Sequence, residues 1–186
     1  MLSNTDTTVT AAGARLWAQP DWATRPAILA ADDVLTYGEL HRRVGVAAAA
    51  LHAAGVQPGD YVAVAMERSP AQLVAILCVM AAGACPCPLE PRLAHAETAR
   101  RVAAVGLAWM LFDDDHAATA QGCGLAPARC LPAQELARGD SAWPRLPRGA
   151  RDPGLLLFTS GSTGHPKGVL LSHGGLMNNA CGVLAH

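Results

Sequence analysis

The chain has 186 residues, 51% of them hydrophobic and 16% charged, with a net charge of -1. That is enough to bury a sizeable core in one domain. It leaves too little charge imbalance for a nucleic-acid surface, an anionic-membrane patch or a disordered charged tail.

The N-terminal Met1-Leu2-Ser3-Asn4-Thr5-Asp6 is polar and lacks the basic-then-apolar order of a signal peptide, so the cytoplasm is the expected compartment. Residues 8–18 then read as a helix with Leu16 and Trp17 on its apolar side. Ala27 to Ala30 and Val34 to Thr36 read as short strands about an Asp32-Asp33 turn. Thr36-x-x-Glu39 is a capping-box signal for a helix running to about Ala54, ended by Gly55. Pro58-Gly59-Asp60 turns the chain into a strand from Tyr61 to Met66. Ser69-Pro70 opens the next helix, with Ser at the cap and Pro at the first helical position, and that helix ends near Gly83. A strand at Ala84–Leu89, a helix at about Ala94–Val105, Gly106 and a strand at Leu107–Phe112 follow. Strand-helix-strand units of this length predict an α/β fold whose parallel sheet is covered by helices.

Residues 113–152 carry Asp113-Asp114-Asp115, scattered glycines and five prolines between Pro127 and Pro153, and read as a connector with one short helix at Ala133–Arg138. Ser172 is expected to cap a last helix from His173. The segment Ala71 to Leu89 is almost wholly apolar and long enough to suggest a membrane span. Gly83 and the Pro86/Pro88 pair divide it, so a buried helix followed by a buried strand is the better reading.

The six cysteines, Cys78, Cys85, Cys87, Cys123, Cys130 and Cys181, lack the matched close pairs of a zinc site and read as buried thiols. No metal ligands are assigned. The three adjacent aspartates suggest a solvated turn more than a magnesium site, and the seven histidines show no paired ligand spacing. His173 stands apart, because it begins a helix just after the last strand. A place near a bound phosphate and a plain helix-start role are both open for it.

The most informative segment is Thr159-Ser160-Gly161-Ser162-Thr163-Gly164-His165-Pro166-Lys167-Gly168, which holds the chain's only lysine. Leu155-Leu156-Leu157-Phe158 precedes it and Val169-Leu170-Leu171 follows it. Hydroxyls and unhindered backbone N–H groups donate hydrogen bonds, glycines permit close approach, and the lysine adds a mobile charge. This is the chemistry of a loop that wraps phosphates between two strands. It does not fit a Walker A loop, because Pro166 precedes Lys167 and Gly168 follows it, nor the Gly-x-Gly-x-x-Gly dinucleotide fingerprint.

All ten positions agree with Thr-Ser-Gly-Ser-Thr-Gly-x-Pro-Lys-Gly, with His165 at the variable one. The segment resembles the core signature of the adenylate-forming (AMP-binding) superfamily, which includes acyl-CoA synthetases, nonribosomal peptide synthetase adenylation domains and firefly luciferase. Leu35-Thr36-Tyr37-Gly38-Glu39-Leu40, Val79-Met80-Ala81-Ala82-Gly83-Ala84 and Pro88-Leu89-Glu90-Pro91 resemble earlier segments of the same family. The similarity covers roughly residues 10–186.

The resemblance implies an AMP-forming acid–thiol ligase. A carboxylic or amino acid attacks the α-phosphorus of Mg-ATP, and coenzyme A or a carrier protein's phosphopantetheine then takes the acyl group. It implies Thr159, Ser160, Ser162 and Thr163 as hydroxyl donors to the β- and γ-phosphates. Gly161, Gly164 and Gly168 would allow loop closure, Pro166 would limit the loop's freedom, and Lys167 would be the catalytic charge. The family's adenine-binding segment, magnesium-binding acid, ribose aspartate, hinge and late catalytic lysine cannot be found, since the chain stops eighteen residues after Gly168.

The expected organisation is therefore a partial N-terminal AMP-binding domain over 1–186, without the C-terminal domain. It divides into an α/β subdomain at 1–112, a connector at 113–152, and the loop hairpin with its helix at 153–186. Such a chain is expected to be inactive alone, its partner being the remainder of the same enzyme. A non-catalytic docking or regulatory module that keeps the phosphate loop is the alternative. An unrelated phosphoryl-transfer enzyme is disfavoured by the Pro166-Lys167 order.

Overall fold

The computed structural model describes residues 8–17, 21–30, 33–137, 148–159 and 167–184. Helix α1 (Val9–Trp17) comes first, although the Leu16 and Trp17 side chains lie outside the described part. Strands β1 (Pro26–Ala30) and β2 (Asp33–Thr36) pair antiparallel, and the turn residue Asp32 also lies outside it.

Helix α2 (Tyr37–Ala54) begins where the capping signal predicts, with the Thr36 hydroxyl accepting from the Glu39 N–H at 3.3 Å. The Glu39 carboxylate does something else. It turns forward to Arg42 and Arg43 at 2.8 Å each, and these guanidiniums hold its carboxyl down at about 2. Gly55 stops the helix in the left-handed conformation (φ 102°), a position that a side chain would strain.

Four strands form the central sheet in the order β4-β3-β5-β6, all parallel. They are β3 (Tyr61–Ala65), β4 (Cys85–Pro88), β5 (Trp109–Phe112) and β6 (Cys130–Pro132). Helix α3 (Pro70–Ala81) links β3 to β4, and α4 (His95–Val105) links β4 to β5. α3 is capped by Ser69, whose hydroxyl accepts from the Gln72 N–H at 3.2 Å. The apolar stretch from Ala71 to Leu89 is therefore a twelve-residue helix and a buried strand. Among the described residues no helix is long and apolar enough to cross a membrane.

The twofold period of the strands sorts their side chains onto two faces. Val62, Val64, Trp109 and Leu111 meet α2 and α3 in one core. Ala63, Ala65, Cys85, Cys87 and Met110 meet Val102 of α4, Ala120 and Leu156 in the other. Both faces are covered, as a parallel sheet requires. Asp60 fixes the lower end: its carboxylate accepts from the Gln57 N–H at 2.9 Å and from the Trp109 indole N–H at 3.0 Å.

Residues 113–152, expected as a connector with one short helix, carry more regular structure. A 3-10 turn (Asp114–His116) runs into α5 (Ala117–Gly122), and a second 3-10 turn (Pro127–Arg129) precedes β6. The expected helix near Ala133 is a 3-10 helix, Ala133–Ala137. β6 escapes a sequence reading because it is three residues long and closed by proline. Only its pairing of Met110 with Cys130 and Leu111 with Leu131 makes it a strand.

Strands β7 (Pro153–Thr159) and β8 (Lys167–Ser172) form a separate antiparallel hairpin, followed by α6 (His173–Leu184). All six cysteines are free; Cys78, Cys85, Cys87 and Cys123 are buried as expected, whereas Cys130 and Cys181 are only half-buried, and burial pushes the Cys78, Cys85 and Cys87 thiols up to about 12.

The caps set measurable stabilities. Thr36→Ala should lower the free energy of urea unfolding by about 1 kcal/mol. Ala94 holds the cap position before helix α4 and makes no side-chain cap bond, so Ala94→Ser should raise stability by roughly 0.5–1 kcal/mol.

Candidate functional site

Hairpin pairing brings the two ends of the glycine- and hydroxyl-rich loop together. Thr159 lies opposite Lys167 and Phe158 opposite Gly168. The Thr159 hydroxyl points across the hairpin to the Lys167 carbonyl at 3.5 Å, the outer limit of a hydrogen bond. Both residues are exposed. Ser160, Gly161, Ser162, Thr163, Gly164, His165 and Pro166 lie outside the described residues.

Gly168 was expected to serve loop closure, yet it belongs to a strand. A Cβ there would stand 3.1 Å from Val105 Cγ1 and 3.2 Å from Leu156 Cδ1. Its missing side chain lets β8 pass close to α4, which is a packing reason for glycine at this position.

β7 packs on β4, so the hairpin is laid against the sheet rather than joined to it. Leu156 is buried in the core on that face, and Phe158 packs partly against it. The Arg101 guanidinium lies over the Phe158 ring at 5.0 Å while its Nε–H donates to Glu97 at 3.0 Å. A cleft of about 280 Å³ opens here, at the C-terminal edge of the parallel strands. It is lined by Arg68 and Gln72, by Pro88 to Pro91, and by Arg101, Leu157 and Phe158. In open parallel sheets this edge is the usual place for ligands.

Asp113, Glu67 and Pro91 meet at the same edge. One Asp113 oxygen accepts from the Glu67 N–H at 2.8 Å and the other pairs with His116 Nδ1. His116 Nε2 lies 3.0 Å from the Pro91 carbonyl oxygen, and the ring is only 5% exposed. Asp113 is thus no solvated turn residue, while Asp114 accepts from Gln134 Nε2 at 2.6 Å. The sequence reading missed His116. The available signal was positional: Glu67, Glu90 and Asp113 each follow a predicted parallel strand directly. Among the described residues no three His, Cys, Asp or Glu side chains gather as metal ligands.

His173 proves to be remote from the loop. Ser172 pairs with Pro153 at the base of the hairpin, which puts His173 six residues along from Lys167 and so about 20 Å away at roughly 3.4 Å per residue. The helix-start role is the one observed. Ser172 accepts from the Gly175 N–H at 3.1 Å and the His173 N–H donates to the Asp152 carbonyl at 3.1 Å. The imidazole is fully buried, and among the described residues neither ring nitrogen has a hydrogen-bond partner. Burial, aided by the Arg148 charge, holds its pKa below the ordinary value.

A family model described as "AMP-binding enzyme" matches residues 17–186. The chain belongs to the AMP-binding enzyme family. It is 42% identical over 150 residues to a feruloyl-CoA synthase of Amycolatopsis sp, covering 81% of this chain and 30% of that protein. It superposes on the N-terminal subdomain of Klebsiella oxytoca NpsA in complex with 3-hydroxybenzoyl-AMSN, with a TM-score of 0.77 and 27% identity. That match covers 89% of this chain and 41% of the other. A nonribosomal peptide synthetase, FmoA3 (S1046A) with α-methyl-L-serine-AMP bound, gives a TM-score of 0.82 and 27% identity, covering 100% and 20%. The chain therefore spans less than half the length of each of these relatives. Within the AMP-binding fold it supplies an α/β unit of the kind found in N-terminal subdomains of adenylating enzymes.

Two measurements follow for this AMP-binding chain. Gly168→Val should destabilise it by about 1–3 kcal/mol in urea unfolding, through overpacking against Val105 and Leu156. His173 has a lowered folded pKa, so its contribution is present above the ordinary imidazole value of about 6.5 and is lost as pH falls below it. The melting temperature should therefore drop less on acidification in His173→Gln than in the unaltered protein.

Proposed function

We propose that the chain is the N-terminal portion of an ATP-dependent carboxylate-adenylating ligase, in which Thr159 to Lys167 hold the β- and γ-phosphates of ATP. The observation that carries this is the family match together with the pairing of Thr159 and Lys167 across the hairpin. That pairing puts the first hydroxyl and the only ammonium at the two ends of one loop. The long Thr159–Lys167 bond is weak enough for an anionic oxygen to replace it.

In the assigned reaction a carboxylate oxygen attacks the α-phosphorus of ATP, and the bond to the bridging oxygen breaks as pyrophosphate leaves. Charge grows on the departing phosphates, so donors aimed at them accelerate the step more than donors that only bind ATP. Thr159, Ser160, Ser162 and Thr163 are assigned as those donors. Gly161 and Gly164 allow backbone approach, Pro166 restricts the loop, and Lys167 neutralises charge as pyrophosphate departs. Gly168 contributes through the packing of β8. The donor set at the loop ends is one hydroxyl and one ammonium, which suits phosphate oxygens and offers no carboxylate. We assign the magnesium ligands to a part of the enzyme outside these 186 residues.

The acyl group then passes to a thiol, of coenzyme A or of a carrier protein's phosphopantetheine, and the acid is carboxylic or amino. Residues 1–112, 113–152 and 153–186 are assigned as α/β unit, connecting segment and loop hairpin. Exposed Leu157, Val169 and Leu170 on the hairpin suit a surface covered by further chain. The 186 residues alone are assigned no turnover.

The test is carboxylate-dependent exchange of labelled pyrophosphate into ATP by the natural-length protein, across amino, aryl and fatty acids. Exchange with one class supports the assignment. A folded protein that exchanges with none is instead a non-catalytic module retaining the loop. Lys167→Ala should slow the exchange by about 10²–10³-fold while leaving carboxylate affinity nearly unchanged.

A further inference from the structure

We propose that Asp113 and His116 are positioning residues that form a protonation-dependent latch between two segments lining the cleft at the C-terminal edge of the sheet. Each end of the latch holds one of these segments. The Asp113 carboxylate accepts from the N–H of Glu67, the residue before Arg68, and the His116 ring meets the carbonyl of Pro91. Arg68 and Pro91 both line that cleft. The Asp113–His116 pair joins the two grips, so loops separated by more than twenty residues of sequence are fixed by two side chains.

The protonation dependence comes from the partners. An ionised carboxylate and a backbone carbonyl can only accept hydrogen bonds. Both ring nitrogens of His116 must then donate, which requires the imidazolium form. A neutral ring has one N–H, so one nitrogen lone pair would face an acceptor and one grip would open. The surroundings favour the cation. Burial opposes the charge, but the bonds to Asp113 and Pro91, with Glu67 nearby, raise the His116 pKa above its ordinary value. Asp113 is likewise partly buried, yet its bonds to His116 and the Glu67 N–H hold it below the usual carboxylate range. Asp114 and Asp115 follow on the same turn, Arg68 follows Glu67, and Glu90 and Arg92 flank Pro91; α5 carries no ionisable side chain.

The sign is fixed by the raised folded pKa. The latch is fully closed below the ordinary imidazole value of about 6.5 and opens as pH rises through the folded pKa of His116. The cleft lies beside the strand that leads into the phosphate loop, so latch opening would alter the adenylation assigned above. That last consequence rests on the proposed function, whereas the latch itself does not.

The test uses the natural-length protein with His116→Gln and Asp113→Asn. Proton–nitrogen NMR should place the His116 titration above about 6.5, and lower it by roughly one unit or more in Asp113→Asn. Amide hydrogen exchange, corrected for its intrinsic pH dependence, should be about tenfold faster over residues 67–72 and 88–93 in either variant at pH 6. The unaltered protein should approach the variants' rate as pH rises through the His116 midpoint, and His116→Gln should lack that transition. A His116 midpoint at or below the ordinary value, or equal exchange in all three proteins, would overturn the latch. Pyrophosphate exchange measured on the same samples separates the two ideas. Its absence from the unaltered protein counts against adenylation alone, while titration and hydrogen exchange still decide the latch.

Discussion

The close approach of β7 to the small-residue face of the central sheet is the constraint on which the candidate site depends. On that face the strands present Ala63, Ala65, Cys85 and Cys87. Short side chains leave room for Leu156 to be buried and for Phe158 to lie against the same core. The opposite face carries Val62, Val64, Trp109 and Leu111, bulk that fills the space under α2 and α3. Gly168 continues the rule one strand further out, since Val105 and Leu156 occupy the space a side chain would need. Because β7 is held this way, Thr159 emerges at the edge where the parallel strands end.

Polar chemistry collects at that edge for a related reason. Both faces of the sheet are covered, so charged groups on strand-end loops have nowhere else to go. Arg68, Glu90, Asp113 and His116 all fall after parallel strands, and Arg101 reaches the same place from α4. Burial raises the cost of any unmatched group there, and the Asp113–His116 pair meets that cost by satisfying four polar atoms at once. His173 shows the contrasting case: a buried ring with no hydrogen-bond partner among the described residues, its pKa lowered by burial.

Much of the fold was legible because local chemistry and burial agreed. Thr36 and Ser69 are caps with a clear following helix, Gly55 and Gly106 end helices in the left-handed conformation, and the strand runs are apolar enough to be buried. Where the local signal was thin, the reading fell short. Cys130-Leu131-Pro132 has neither length nor periodicity, and becomes a strand only because β5 offers a free edge. The capping box was half right, since Glu39 found two guanidiniums one turn ahead. His173 had two open readings, near a phosphate or at a plain helix start, and the length of β8, which carries it to the other end of the hairpin, leaves the second.

The sequence by itself determined the family and the alternation of strands and helices, and it singled out the loop from Thr159 to Gly168 as the segment to which phosphate chemistry is proposed. These follow from motifs within ten residues and from periodicity, which act over the range of a single element. Tertiary structure alone decided that Thr159 and Lys167 face each other, and that Gly168 is needed for packing. It also decided that Glu67, Pro91, Asp113 and His116 form one network at one edge. The reason is physical. Hydrogen bonds and side-chain contacts between residues 25 or 46 positions apart depend on how the sheet brings its loops together, and no local pattern encodes that distance.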